Sequence, residues 1–321
     1  MNELFFEIKK AIDHSQKILI FSHPDIDGDA LGAMLALEIA FSAAGKKIDM
    51  FSLSGIPGAF KFLPRIERVG QRLGNNYDLI FGLDYGDIRR LEPAILALCS
   101  KCRVISIDHH VLVNQIGEIK ITDTSFSSTC EIIYQFLEVN SLQINKEIAT
   151  CLLTGIIYDT WCFRHPNTSA QTLNVAANLI SKGAVLNKIV RLMSQGGANH
   201  KFRIWGKALA NVCLNKEIGL AFCFLDFQEI KQMRATPDHL AGICSIISMA
   251  PEARFSLFLR EFKPGCLDGS LRSNIESGID VSQIARLFGG GGHKLAAGFK
   301  TSGRPEIVLE KIKKYVMMNN A

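Results

Sequence analysis

The sequence predicts an α/β protein: a doubly wound, mainly parallel sheet, followed by a smaller α/β domain. Three observations carry this expectation. Short apolar runs alternate with helical segments through the first half of the chain. Several of those runs stop on acidic or imidazole side chains, at the strand ends where ligands gather in such sheets. Beyond residue 200 the rhythm changes to longer strands and a run of glycines.

The first strand is KILIFSH, Lys17–His23, and a helix follows from about Asp29 to Ala44 with Gly45 at its C-terminal cap. KKIDMFS (Lys46–Ser52), YDLIFGLD (Tyr77–Asp84) and CRVISIDHH (Cys102–His110) are further strands, rich in β-branched and apolar residues. Helical patterns cover Ile88–Lys101, Ser128–Glu138 and Lys146–Tyr158, and another helix starts near Leu186. Strand, helix, strand in repetition requires parallel pairing through crossovers. SQGGANHK (Ser194–Lys201) reads as the exit from this domain. Three longer strands follow, Glu217–Asp226, Ala253–Phe262 and Cys266–Asn274, then a helix Val281–Phe288, the glycine run Gly289–Gly298 and a closing helix Glu306–Met317. The expected division is a catalytic domain over 1–185, a linker over 186–200 and a second domain over 201–321.

Composition narrows the function classes. The 321 residues are 48% apolar and 21% charged, which fits a folded globular chain. No apolar run reaches the roughly 18 residues of a membrane span, and the N-terminus mixes acids with lysines, unlike a signal peptide. A cytoplasmic protein is expected. The net charge of +5 suits a small anionic ligand better than a long nucleic acid gripped through many phosphates. Only Cys99 and Cys102 of the nine cysteines form a CxxC pair, without the second pair that a structural zinc site needs.

The strand ends carry the chemistry. HPDIDGDALG supplies His23, Asp25, Asp27 and Asp29; the strand before Tyr85 ends in Asp84; VISIDHH ends in Asp108, His109 and His110. Asp159 closes the apolar IATCLLTGIIYD. A lone Asp after a strand is most often a helix cap, and Asp29 or Asp87 taken singly could be only that. Four such clusters along one sheet edge are not explained by caps. So many like charges would repel unless cations were bound. Mixed carboxylate and imidazole ligands suit Mn²⁺, with Mg²⁺, Co²⁺ or Zn²⁺ compatible, and the set is large enough for a two-metal centre that activates water.

HPDIDGDALG, GLDYGDIRRL, IDHH and LLTGIIYDT…FR resemble the four ordered motifs of the DHH phosphoesterase superfamily. SLRSN with FGGGGHKLAAGF resembles the DHH-associated domain that accompanies it. Within the superfamily the chain is most similar to the nanoRNase/pAp-phosphatase (NrnA-like) branch, which degrades very short oligonucleotides and dephosphorylates pAp. The resemblance implies two Mn²⁺ per active site, with Mg²⁺ or Co²⁺ as substitutes, in a cleft between the domains. His23 and Asp27 would hold one ion, Asp84 would bridge, and Asp29, His109 and Asp159 would complete the second site. Asp108 would orient His109, leaving His110 to touch the scissile phosphate or assist the leaving oxygen. Asp25 is left as a loop residue.

In the second domain the glycines Gly289–Gly292, including Gly290, Gly291 and Gly292, would let backbone N–H groups approach an anion. His293, Arg272 and Ser273 would complete a phosphate and base pocket, with Arg272 making the bidentate contact. Arg164 and His165 could reach the same substrate from the catalytic side. Three departures from the family pattern fall around the pocket wall: Gly32-Ala33, Val113 with Asn114 one place late, and Trp161-Cys162 in place of small residues. The expected partners are short oligonucleotides or pAp, no membrane, and a second copy in a homodimer. Rival functions are a phosphodiesterase for pApA or cyclic di-AMP, a RecJ-like single-strand exonuclease, and a non-catalytic nucleotide-binding protein.

Overall fold

In the computed structural model, which describes residues 1–110, 114–194 and 198–319, the chain divides into two units, residues 1–196 and 197–321. Val113 and residues 195–197 of the expected domain exit lie outside the described residues. The first unit contains, in order, α1 (Asn2–His14), β1 (Lys17–Phe21), α2 (Gly28–Ala43), β2 (Lys47–Phe51), β3 (Val69–Gly70), β4 (Leu79–Leu83) and α3 (Pro93–Cys99). It continues with β5 (Arg103–Asp108), β6 (Ile119–Thr122), α4 (Thr129–Val139), α5 (Lys146–Asp159), α6 (Ala170–Ser181) and α7 (Leu186–Ser194).

The six strands form one sheet in the order β3-β2-β1-β4-β5-β6, and every neighbouring pair is parallel. The order reverses direction at β1, so β1 and β4 are adjacent, paired from Ile18 with Leu79 to Phe21 with Gly82. That junction is the topological switch point, where the crossovers diverge to opposite faces and leave a crevice beyond the strand ends. Helix α2 has no polar face, because it is buried all round between the sheet and α4 and α5. Gly32 permits this packing: a Cβ there would stand 2.5 Å from the carbonyl oxygen of Cys151 in α5. Its one mid-helix charge, Glu38, is buried and paired with Arg65 at 3.3 Å and with Arg68.

The helix expected over Ile88–Lys101 is broken. A 3-10 turn, Ile88–Arg90, is capped by Asp87, whose Oδ1 accepts the Arg89 N–H at 2.8 Å. Helix α3 begins afresh at Pro93, because proline's missing N–H is harmless only in a first turn. The 186–200 segment is largely helical, and Ile189 of α7 is buried in the first unit's core.

The second unit contains α8 (Ala198–Ala210), β7 (Cys213–Asn215), β8 (Leu220–Leu225), α9 (Phe227–Gln232), α10 (Pro237–Leu240) and α11 (Ile243–Ile247). There follow β9 (Phe255–Lys263), β10 (Cys266–Ser273), α12 (Val281–Arg286), β11 (Gly291–His293), β12 (Ala296–Ser302) and α13 (Pro305–Asn319). Its sheet runs β11-β12-β10-β9-β8-β7, antiparallel except for β8 beside β9. Alternation along β9 sends Leu257 and Leu259 to the core shared with α12 and α13, and Phe258 to the core shared with α8 and α11. Among the described residues no helix is long and apolar enough to cross a membrane.

Candidate metal centre

The acids and imidazoles of the first unit converge beyond the carboxyl ends of β1, β4 and β5. Among the described residues, three groups of ligand atoms, each within 4.8 Å of one another, are His23, Asp27 and Asp84; Asp29, His109 and Asp159; and Asp84, His109 and His110. Asp84 and His109 each belong to two groups, so the three overlap into one cluster.

Local structure explains each placement. Asp27 is the N-cap of α2: its Oδ1 accepts the N–H groups of Asp29 and Ala30 at 3.0 and 3.1 Å. Its Oδ2 stands 3.7 Å from Nε2 of His23, so one carboxylate serves both cap and cluster. Asp84 follows β4 in the left-handed region, φ 51°, which Asp tolerates better than most residues. That turn puts its Oδ2 3.9 Å from His23 Nε2 and its Oδ1 3.7 Å from His109 Nε2. Asp159 is the last residue of α5, with Oδ2 3.0 Å from His109 Nε2.

Asp29 is held from α4. Its carboxylate accepts the N–H groups of Thr129 at 2.7 Å and Cys130 at 2.9 Å, at the positive end of that helix. The Thr129 hydroxyl donates to Asp84 Oδ1 at 3.1 Å, tying the two acids together. Buried Glu131 fixes this turn in place, its Oε2 accepting from the Ser127 N–H and hydroxyl and from the Thr172 hydroxyl. Sequence reasoning missed this support. Its signal was SSTCE, a Ser cap with Glu three residues on, which marks a helix start. Gly155 completes the fit, because a Cβ there would stand 2.7 Å from Asp29 Oδ1.

Asp108 does not orient His109 as expected. Its Oδ1 accepts from the Nδ1–H and backbone N–H of His110 at 2.8 and 2.9 Å, and its Oδ2 accepts the Gly86 N–H at 2.9 Å. Strand β5 ends at Asp108, and the chain bends there so that the carboxylate caps the turn formed by the residue two along, which brings His110 and not His109 to it. Asp25 stands apart, 91% exposed and 3.7 Å from Arg90.

Electrostatics divides the acids in two. Burial pushes the carboxyls of Asp29 to about 7, and of Asp84 and Asp159 to about 6. Asp159 adds to the rise at Asp29, and Asp29 to the rise at Asp84. Asp27 and Asp108 fall below the usual range despite burial, because His23 and His110 with backbone N–H groups hold their charge. Burial opposes charge on the imidazoles, yet Asp159 holds His109 up at about 9, and Asp108 and Asp84 hold His110 up at about 11. The cluster thus keeps protons wherever acids face one another. Buried His109 Nε2 makes no hydrogen bond despite its three neighbouring carboxylates, and buried His23 Nδ1 is likewise unpartnered. Excess buried acid, proton retention and an unbonded imidazole nitrogen together fit divalent cations.

Beyond Asp159 the chain makes a turn of three successive left-handed residues, Trp161, Cys162 and Phe163, at φ 47°, 57° and 63°. Each costs about 1–2 kcal/mol for a residue with a Cβ. Thr160 fixes the turn: its hydroxyl accepts the Phe163 N–H at 3.0 Å, and its carbonyl accepts from Arg164 and His165. His165 Nδ1–H in turn donates to the carbonyl of Asp159 at 3.0 Å.

The second unit gathers its candidates on one cross-strand row. Arg272 on β10 and His293 on β11 both pair with Ala296 of β12, which puts a small side chain between two large polar ones. Alternate strands lie roughly 10 Å apart. Ser273 is buried and its hydroxyl bonds that of Ser277 at 2.7 Å. Gly291 has open space where a Cβ would stand. Gly290 and Gly292 instead allow β11 to lie close on β12, since a Cβ would strike backbone atoms of Gly298 and Ala296.

Comparison with known proteins agrees with this architecture. Residues 17–156 match the DHH family, N-terminal domain, and residues 220–318 match the DHHA1 domain. The chain is 30% identical over 301 residues to a bifunctional oligoribonuclease and PAP phosphatase NrnA of Thermus thermophilus, covering 94% of this chain and 88% of that one. It is 25% identical over 296 residues to the protein of the same name from Bacillus subtilis, covering 91% of each. A crystal structure of an exopolyphosphatase-related protein from Bacteroides fragilis shares the fold, with a TM-score of 0.90 over 100% of this chain and 98% of that one at 24% identity.

Proposed function

The chain belongs to the DHH phosphoesterase family with its DHHA1 domain, and from that membership we propose a Mn²⁺-dependent phosphodiesterase that removes mononucleotides from very short oligonucleotides and converts pAp to AMP. The reaction class is hydrolysis of a phosphoester bond. The observation that carries the proposal is the overlap of three ligand groups through Asp84 and His109. His23, Asp27 and Asp84 would hold one cation, and Asp29, His109 and Asp159 with Asp84 a second. Bound there, two such ions supply a hydroxide-like water and offset charge on the phosphoryl oxygens.

The rest of the chemistry belongs to the chain. His110 is 38% exposed at its side chain, the most open imidazole of the cluster, with Asp108 and Asp84 fixing its Nδ1 side. Its ring would supply a proton or positive charge to a phosphate. Asp108 keeps that ring charged and oriented. In the second unit the Arg272–Ala296–His293 row binds the nucleotide, with Arg272 on phosphate and the open Gly291 beside it, while Ser273 faces the core side of β10 and serves the packing there. The named activities of the two NrnA relatives support this choice of substrates.

The test is product analysis with purified protein on pAp, pApA, cyclic di-AMP and RNA or DNA oligomers of graded length. Mn²⁺-dependent release of mononucleotides, fastest on the shortest oligomers, is the expected result. Efficient digestion of long strands, with the shortest left intact, would overturn it.

A further inference from the structure

The turn after Asp159 holds an aromatic stack that the metal cluster does not explain. The Trp161 indole lies 5.9 Å from the His165 ring at an interplanar angle of 22°, and the Arg164 guanidinium lies over it at 5.1 Å. His165 is bonded to the carbonyl of Asp159, so the indole is one ring removed from a residue of the cluster. At φ 47° glycine would sit without strain, yet this position carries the largest side chain. Core packing does not account for it. Phe163 packs against the first unit's hydrophobic core, whereas Trp161 is not among the described residues that do.

We propose that Trp161 is the base-stacking, specificity-determining residue for the nucleotide hydrolysed at the cluster. The proposal rests on the reading above that the substrate is a short oligonucleotide or a bisphosphorylated nucleotide. A guanidinium over an indole occupies the place that a planar nucleobase takes. Arg164 is exposed, and its guanidinium lies over the indole with no ion pair among the described residues. A base arriving on the indole displaces it, and the freed guanidinium meets the adjacent phosphate. Purines, with the larger π surface, are favoured over pyrimidines. Every base has a π-face, so the indole ranks bases by stacking strength, taking pyrimidines more weakly than purines without excluding them.

Trp161→Gly separates this from a structural role, because glycine suits the backbone there. The expected result is an unchanged or higher melting temperature, with KM for pApA raised about 10-fold or more and kcat within about 3-fold. Trp161→Phe restores most of the loss, and a dinucleotide lacking the stacked base is insensitive to both. In a Trp205→Phe background, AMP quenches the remaining indole emission. An unchanged KM in Trp161→Gly, or emission that ignores AMP, would overturn the proposal. Failure of the parent protein to cleave pApA would instead count against the proposed function, and the AMP titration would still read the stacking.

Discussion

At the scale of single residues the site is held together by groups that oppose one another without a cation. The Asp84 carboxyl is pushed up to about 6 from an ordinary 3.8, so between those pH values the unfolded chain ionises it more readily than the folded one. Its contribution to the stability of the metal-free protein therefore falls as pH rises from about 4 to 6, and stays low above. Asp84→Asn removes that penalty, keeps an acceptor for Thr129 and suits the left-handed backbone. We expect the metal-free variant to melt about 2–4 °C higher at pH 7.5, as roughly 1 kcal/mol would give. Its activity should fall at least 10³-fold, an order of magnitude set by losing the shared ligand. A lower melting temperature would show that Asp84 is not strained. His110→Ala should behave differently, losing about 10²–10⁴ in kcat while metal affinity, read by calorimetry, is nearly kept. The metal-capable residues were legible in the sequence, because acids and imidazoles at strand ends have few bland explanations when they come together. The pairing of Asp108 with His110 was not, because it is made by a turn beyond the end of β5 that the apolar strand pattern does not show.

At the scale of elements, two helix contacts position Asp29. Gly155 of α5 leaves the space its carboxylate fills, and the first turn of α4 supplies its hydrogen bonds. Gly155→Ala forces Asp29 or α5 to move, and we expect weaker metal binding together with lost stability, measured by calorimetry and thermal melting. Thr129→Val keeps the backbone N–H but removes the hydroxyl between Asp29 and Asp84. A 10–100-fold loss of metal affinity is expected, the range for groups that orient ligands, with Thr129→Ser restoring most of it. Equal affinity in Thr129→Val would remove the hydroxyl from the account. The strands and the buried helix α2 were readable from apolar runs. Helix α3 is shorter than the expected Ile88–Lys101 because Pro93 restarts it, whereas α4 falls where it is expected; only the hold of its first turn on Asp29, 100 positions away, is hidden from the sequence. Long-range hydrogen bonds of that kind leave no local pattern. Close strand packing is reason enough for glycine at Gly290 and Gly292, and composition does not distinguish that reason from an anion cradle.

At the scale of the whole molecule, the proposed function assigns cation binding to the sheet edge of the first unit and nucleotide binding to the strand row of the second. Cation binding must displace protons, since Asp29 is held up at about 7 and His109 at about 9. Apparent metal affinity should therefore rise with pH between 6 and 8, about tenfold per pH unit for each proton released. Calorimetry in buffers of different ionisation enthalpy counts those protons, and a pH-independent affinity would contradict the proton-holding cluster. The central claim is that His23, Asp27, Asp29, Asp84, His109 and Asp159 form one two-cation centre for phosphoester hydrolysis. The most direct measurement is a Mn²⁺ titration of the chelator-treated chain, with binding and pApA hydrolysis followed in the same samples. The account predicts saturation at two ions per chain, activity that appears only as the second binds, and a single remaining ion in His23→Ala or Asp159→Ala. Saturation at one ion with full activity, or hydrolysis that survives the chelator, would contradict it.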